Sequence, residues 1–132
     1  MEKIEHVGIA VKSLADSIPI FEKLLNTECY KTEVVASEKV NTAFFKMGES
    51  KIELLESTDA NGVIAKFIGK NGEGVHHIAL EVTNIEDEIS RLKKSGFIVL
   101  NEPKKGADNK LICFLHPKST NGILIELCQE IK

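Results

Sequence analysis

Two histidines and two glutamates occupy matching positions in the two halves of the 132-residue sequence. His6 lies in HVGIAV and His77 in HIALEV, an offset of 71 residues (77 − 6). Glu53 lies in KIELLE and Glu126 in LIELCQ, an offset of 73 residues (126 − 53). Such a mixed nitrogen and oxygen donor set suits zinc, cobalt, nickel, manganese or ferrous iron. The spacing therefore predicts an internal repeat that carries one divalent-metal site.

Side-chain alternation along a strand explains why these positions suit a site. His6 shares its strand face with the small residues Gly8 and Ala10, which leave room beside it. Glu53 and Glu126 each lie between aliphatic residues that belong to the opposite face. A carboxylate in such a strand is costly to bury unless it is paired or bound to a metal.

The elements that position the first pair read β-α-β-β-β over residues 1–56. The helix is predicted over residues 13–25, where apolar residues recur at helical spacing. Ser13 and Asp16 form a capping box, although Ser17 is the alternative N-cap and would place Pro19 in the first turn. The predicted strands are 3–11, 29–35, 40–47 and 51–56.

The same order of elements repeats after a link over residues 57–74. The link is predicted to contain a short helix from Val63 to Ile68, ended by Gly69. A second helix follows over residues 84–96, with Asn84 as N-cap and Gly96 as C-cap. The predicted strands are 75–82, 97–100, 111–116 and 122–127. We therefore expect one α+β domain over residues 1–132, with module 1 at about 1–56 and module 2 at about 75–132.

The composition excludes some classes of function. A net charge of −3 without an arginine-rich stripe gives no reason to expect a nucleic-acid partner. No apolar run approaches the roughly 20 residues of a membrane span, and the N-terminus lacks the features of a signal peptide. We therefore expect no membrane partner and a cytoplasmic location. Cys29, Cys113 and Cys128 are interpreted as reduced thiols on strands.

The duplicated β-α-β-β-β unit with the order His, Glu, His, Glu resembles the vicinal oxygen chelate superfamily, which includes glyoxalase I. Within it, VHHIALEV and the ending FLHPK…GILIEL resemble the methylmalonyl-CoA epimerases. The resemblance covers essentially the whole chain. It implies the glyoxalase fold with one cupped eight-stranded sheet, and a homodimer. It also implies one divalent ion (Co, Zn, Ni or Mn) with the ligands His6, Glu53, His77 and Glu126.

The resemblance further implies epimerisation of (2R)- and (2S)-methylmalonyl-CoA through a metal-stabilised enolate. Epimerisation needs a proton removed from one face and returned on the other, which two bases do most directly. We expect Glu126 to be one base, with Glu38 or Glu53 as its counterpart. The local alignment at Glu38 lacks the usual glycine before the valine, and it alternatively places Thr42 at the position of the family's base. Lysines that flank LICFLH are candidates for contact with the CoA phosphates: Lys104, Lys105 and Lys118.

Two other functions remain open at this stage. Glyoxalase I, a lactoylglutathione lyase, shares the fold and the metal, and the carboxylate of Glu53 matches its His-Glu-His-Glu ligand set. It typically has an Asp-Pro-Asp-Gly turn where this chain has HPKS at residues 116–119. A non-catalytic small-molecule binder of the same fold is the third possibility, but such binders generally lose the metal ligands that this chain retains.

Overall fold

The computed structural model describes residues 1–132, which form eight strands and three α-helices. The first half contains β1 (Lys3–Ala10), α1 (Leu14–Leu25), β2 (Lys31–Val35), β3 (Val40–Met47) and β4 (Ser50–Ser57). The helix α2 (Val63–Asn71) follows. The second half contains β5 (Gly74–Glu81), α3 (Ile85–Lys94), β6 (Lys104–Lys105), β7 (Lys110–Leu115) and β8 (Ile125–Glu130).

All eight strands belong to one mixed sheet with the order β2-β3-β4-β1-β5-β8-β7-β6. The internal repeat is visible in this order, since β1 pairs in parallel with β4 and β5 pairs in parallel with β8. The remaining pairs within each half are antiparallel. The predicted α+β fold, in which two β-α-β-β-β modules build an eight-stranded sheet, is confirmed.

The chain divides into two compact units. One unit comprises His6–His76, and the other comprises Met1–Glu5 together with His77–Lys132. The chain passes from one unit to the other immediately before His6 and immediately before His77. Each unit is described in turn.

In the unit His6–His76, one face of the sheet packs against α1. The buried core contains Val11, Leu14 and Leu54, and the ring of Phe45 lies 6.3 Å from that of Phe21 on the helix. These residues alternate with those of the site along β3 and β4, so burying this face directs the other set to the opposite face.

The helix α1 begins at the capping box predicted from Ser13. The Ser13 side chain accepts a hydrogen bond from the backbone N–H of Asp16 at 3.2 Å. The alternative N-cap, Ser17, is wrong, because its N–H already bonds to the Ser13 carbonyl inside the helix. Pro19 therefore lies in the second turn and leaves the carbonyl of Ala15 without its helical donor. Both Pro19 and Ala15 are exposed, so water satisfies that carbonyl.

The helix α2 is longer than predicted. Gly69 lies inside it, and the helix ends at Asn71 instead of Ile68. The end is set by Gly72, which has a φ of 79° and donates its N–H to the Ile68 carbonyl at 2.7 Å. Glycine adopts this positive φ readily, whereas a glycine such as Gly69 only weakens a helix by about 1 kcal/mol.

In the unit of Met1–Glu5 and His77–Lys132, α3 covers the sheet. Its buried residues Ile85, Ile89 and Leu92 pack against residues such as Leu127 of β8. Asn84 caps the helix by accepting a hydrogen bond from the Asp87 N–H at 3.1 Å, as predicted.

The C-terminal end of α3 forms a Schellman motif. The C-cap is Ser95, and Gly96 is the residue after it, with a φ of 93°. The Phe97 N–H bonds to the Leu92 carbonyl and the Gly96 N–H bonds to the Lys93 carbonyl. The predicted C-cap therefore lies one residue earlier, while Gly96 supplies the left-handed conformation that the turn requires.

The strand predicted over residues 97–100 is reduced to an isolated bridge between Val99 and Leu115. Leu100 donates its N–H to the Phe114 carbonyl, but the Phe114 N–H bonds to the side chain of Asn101 at 2.9 Å. An asparagine side chain thus replaces the reciprocal ladder bond. The strand at this edge is instead the two-residue β6.

No helix of the structure has the length and apolar character needed to cross a membrane.

Candidate metal centre

One half of the predicted ligand set is a buried histidine and carboxylate pair in the unit His6–His76. The Nδ1 atom of His6 lies 3.1 Å from Oε2 of Glu53. Each residue is only 4% exposed. The parallel pairing of β1 with β4 places Gly8 beside Glu53, so no side chain fills the space next to the carboxylate. Leu54, the next residue along β4, points into the core beneath α1.

The other half is an equivalent pair in the second unit. The Nε2 atom of His77 lies 3.2 Å from Oε1 of Glu126, and each residue is 5% exposed. Ala79 is paired with Glu126 across β5 and β8. The ring of Phe114 meets the His77 imidazole edge to face, with the ring centroids 6.0 Å apart.

The two halves repeat each other in their surroundings as well as in their ligands. A small residue and a phenylalanine flank each glutamate across the neighbouring strands. Gly8 and Phe44 flank Glu53 in one half. Ala79 and Phe114 flank the second glutamate in the other half. The sequence offsets therefore correspond to a structural repeat of the whole pocket wall.

The donor geometry fits a divalent ion. Two ligand atoms bound at right angles, with bonds of about 2.1 Å, lie about 3.0 Å apart. The separations of 3.1 Å and 3.2 Å match this spacing. The ligand atoms of His6, His77 and Glu126 also lie within 4.8 Å of one another. The structure thus contains a histidine and glutamate group that is able to hold a metal ion.

Sequence reasoning missed two buried polar residues near these ligands. Glu5 is 2% exposed and forms a group with His6 and Glu53 whose ligand atoms lie within 4.8 Å of one another. Alternation along β1 assigns Glu5 to the face opposite that of the histidine, so the pattern gave no signal for it. Thr42 is completely buried on β3, and its hydroxyl has no hydrogen-bond partner. The possible alignment of Thr42 with the family's base was the one signal that pointed to it.

Glu38, a candidate base, lies in a 3-10 turn (Ala36–Glu38) between β2 and β3. It is half-buried, and β3 begins two residues later with Val40, which pairs with Ser57 on β4. Ser57 is four residues from Glu53, a distance of about 13 Å along the strand. The register therefore separates Glu38 from the carboxylate of Glu53.

The candidate CoA-binding lysines lie at the other end of the chain. Lys104 and Lys105 are exposed on the edge strand β6. Lys118 lies in a 3-10 turn (Pro117–Ser119) whose first N–H bonds are capped by His116, because the Lys118 N–H donates to its Nδ1 atom at 2.9 Å. Their contact with CoA remains a prediction.

The buried cysteines near β8 are neutral thiols. Burial, with a smaller contribution from the charge of Glu126, raises the pKa of Cys113 to about 11. The same two causes raise the pKa of Cys128 still further above its ordinary value. Cys113, Cys128 and the half-buried Cys29 are all free, in agreement with their interpretation as reduced thiols.

The paired His and Glu sites on a duplicated β-α-β-β-β sheet define a class of protein that the family comparison identifies. Residues 5–114 match the family model of the glyoxalase/bleomycin resistance protein/dioxygenase superfamily. The chain belongs to this superfamily. It is 36% identical to an uncharacterized protein of Bacillus subtilis, YqjC, over 98% of this chain and 93% of that protein. It is 38% identical to the ethylmalonyl-CoA/methylmalonyl-CoA epimerase of Cereibacter sphaeroides, over 96% of this chain and 97% of that protein.

Solved structures show the same relationship. A hypothetical protein of Bacillus halodurans, BH1468, is 44% identical with a TM-score of 0.95, covering 98% of this chain and 95% of its own. A variant of the Streptomyces coelicolor methylmalonyl-CoA epimerase in complex with 2-nitronate-propionyl-CoA is 34% identical, with a TM-score of 0.94 and the same two coverages. A methylmalonyl-CoA epimerase in complex with methylmalonyl-CoA and NH4+ gives the same identity, TM-score and coverages. The predicted relationship to the methylmalonyl-CoA epimerases is confirmed.

Proposed function

We propose that the protein interconverts (2R)- and (2S)-methylmalonyl-CoA and requires one divalent ion. The observation that carries the proposal is the pair of buried His and Glu sites at equivalent positions of the repeat. Their retention argues against a non-catalytic binder, because a binder has no need for four buried ionisable ligands whose burial is costly. The identity of the relatives supports the substrate class, since proteins named as methylmalonyl-CoA epimerases match the chain over nearly its full length.

The four ligands proposed for the ion are His6, Glu53, His77 and Glu126. Two neutral imidazoles and two carboxylates suit Co, Zn, Ni or Mn. A divalent ion bound there supplies Lewis-acid stabilisation for negative charge on substrate oxygens. Gly8 and Ala79, the small neighbours of the glutamates, keep the space beside the carboxylates free for the acyl group.

Proton transfer is assigned to the glutamates. The α-carbon of the methylmalonyl group lies between a thioester and a carboxylate, so its proton is acidic enough for a carboxylate base. Glu126 is proposed to remove or return the proton on one face, and Glu53 acts on the other. Glu38 is the alternative to Glu53, although the β3 register places it farther along the sheet. Both His imidazoles keep the glutamates oriented, since each contacts one carboxylate oxygen.

Binding of the CoA moiety is assigned to the exposed lysines. Lys104 and Lys105 on β6 and Lys118 in the following turn carry positive charge on flexible side chains. Phosphate groups are met by such ammonium groups as point charges. Because these lysines are exposed to solvent, their contribution is expected to weaken as ionic strength rises.

Glyoxalase I is the second candidate. The carboxylate at Glu53 favours it, because its ligand set resembles His-Glu-His-Glu in full. The substrate would then be the hemithioacetal of methylglyoxal and glutathione. The two reactions share proton abstraction next to a carbonyl, so only a direct comparison of substrates separates them.

The decisive experiment incubates the full-length protein with methylmalonyl-CoA in D2O and follows deuterium at the α-carbon. We expect exchange with protein loaded with Co, Zn, Ni or Mn, and its loss after chelation by EDTA. A parallel reaction with the hemithioacetal serves as the comparison. Rapid formation of lactoylglutathione without exchange into methylmalonyl-CoA would contradict the epimerase and establish the second candidate.

A further inference from the structure

Thr42 carries a polar group for which the folded protein provides no partner. The residue is completely buried in the middle of β3, and its Oγ1 atom makes no hydrogen bond. A hydroxyl that is removed from water without a partner destabilises a protein, and such groups in folded proteins require an explanation. A valine would fill the same space without this cost.

The internal repeat shows that packing does not require a hydroxyl here. Thr42 pairs with Leu55, two residues after Glu53 on β4. In the other half, Ile112 pairs with Cys128, two residues after Glu126 on β8. Ile112 is therefore the structural equivalent of Thr42. It is 5% exposed and packs with Ala79 and Cys128 in an apolar cluster. An aliphatic residue thus fills this position when only packing is at stake.

The position of Thr42 limits what its hydroxyl can reach. Its side chain lies on the same sheet face as that of Glu53, because Phe44 pairs with Glu53 and is two residues from Thr42. Glu53 is thus a diagonal neighbour of Thr42 across β3 and β4. Diagonal Cβ atoms lie about 7–8 Å apart or somewhat less, a distance that a long side chain spans. A molecule from solvent has no such access, since Thr42 is completely buried.

We propose that Thr42 is a positioning residue for the metal ligand Glu53. Its hydroxyl donates a hydrogen bond to a carboxylate oxygen of Glu53 when that side chain turns to bind the ion. In the structure Glu53 directs its Oε2 atom towards His6, at 3.1 Å. Partners of this kind fix the orientation of ligating carboxylates, and their loss typically weakens metal affinity 10–100-fold. The inference rests on the metal site of the proposed function, but not on the substrate.

The test compares three variants of the full-length protein. Thr42→Val removes the hydroxyl and keeps the shape, whereas Thr42→Ser keeps the hydroxyl. Thr32→Val is the matched control, because Thr32 is exposed on the neighbouring strand β2. Affinity for Co²⁺ and Zn²⁺ is measured by calorimetry, and Tm is measured in the presence of EDTA. Neither measurement needs the substrate.

Thr42→Val should bind both ions about 10-fold more weakly than the unmodified protein. Its Tm in EDTA should rise by about 2–6 °C, because the unpartnered hydroxyl is gone. Thr42→Ser should lower Tm, since it leaves a small cavity, but should restore ion affinity to within about 3-fold, a margin well inside the usual second-shell loss. The Thr32→Val control should bind the ions as the unmodified protein does.

Three results would overturn the inference. An unchanged ion affinity in Thr42→Val, with a raised KM for the substrate, would assign the hydroxyl to a substrate contact instead. A lowered Tm of Thr42→Val in EDTA would reveal a structural partner, for which Glu33 on β2, directly opposite Thr42, is placed. Failure of the unmodified protein to bind either ion would remove the basis of the role. In contrast, ion binding with the predicted variant behaviour but no epimerase activity would support Thr42 while refuting the proposed function.

Discussion

At the scale of single residues, Glu126 has two roles in the proposed reaction, as a metal ligand and as a base. Glu126→Ala removes both, so α-deuterium exchange should fall by at least the 10²–10⁴-fold that general-base catalysis typically contributes. Glu130→Ala, at the exposed end of the same strand, is the matched control and should exchange as the unmodified protein does. Exchange in Glu126→Ala at the rate of the control would exclude both roles.

The counterpart base is tested by separating exchange from inversion. If Glu38 is the second base, Glu38→Ala should retain deuterium exchange from one epimer while inversion is lost, because Glu126 still removes and returns the proton on its own face. If Glu53 is the second base, as the β3 register favours, Glu38→Ala should invert the substrate at an unchanged rate. We expect the second result, measured by chiral analysis of the product alongside NMR of the α-deuterium.

The metal ligands were predictable because burying a charged residue is costly, so a glutamate between aliphatic residues needs a reason to be there. Glu53 and Glu126 carried that signal, and the equal offsets to the histidines strengthened it. Thr42 carried no comparable signal, since a threonine is an ordinary strand residue with high β propensity. Its unpartnered hydroxyl becomes visible only when the neighbours across the sheet are known.

At the scale of elements, two glycines in helices test the same substitution in opposite surroundings. Gly96 follows α3 with a φ of 93°, whereas Gly69 lies inside α2, and an added Cβ meets no atom within 4 Å at either site. Gly96→Ala should therefore destabilise the protein by about 1 kcal/mol through backbone strain alone. Gly69→Ala should stabilise it by about 0.5–1 kcal/mol through helix propensity. Urea denaturation measures both, and equal signs for the two variants would contradict the backbone argument.

Elements whose ends are fixed by local chemistry were predicted best. The capping residues Ser13 and Asn84 bond to N–H groups three residues later, as their sequence context indicated. The strand predicted at residues 97–100 was wrong because its apolar pattern is that of a strand, while the decision was made by Asn101. The side chain of Asn101 takes the N–H of Phe114, a contact between positions 13 residues apart that no local pattern reveals.

At the scale of the whole molecule, the sheet ends in two edge strands with charged side chains. The edge strand β2 carries Lys31 and Glu33, and the edge strand β6 consists of Lys104 and Lys105. Charged edges of this kind discourage the edge-to-edge pairing that leads to open-ended assembly. A closed, two-fold symmetric contact is the commonest form of homo-oligomer and is the one we expect here.

The predicted homodimer is testable independently of the site. Light scattering at micromolar concentration should give about twice the chain mass of 14.6 kDa. The four proposed ligands, His6, Glu53, His77 and Glu126, belong to a single chain, so no ligand needs to come from a second copy. Exchange activity per chain should therefore stay constant when the protein is diluted until the dimer dissociates. A mass of one chain at micromolar concentration would refute the dimer and leave the metal site standing. Activity that falls in step with dissociation would instead show that the second copy contributes to the site.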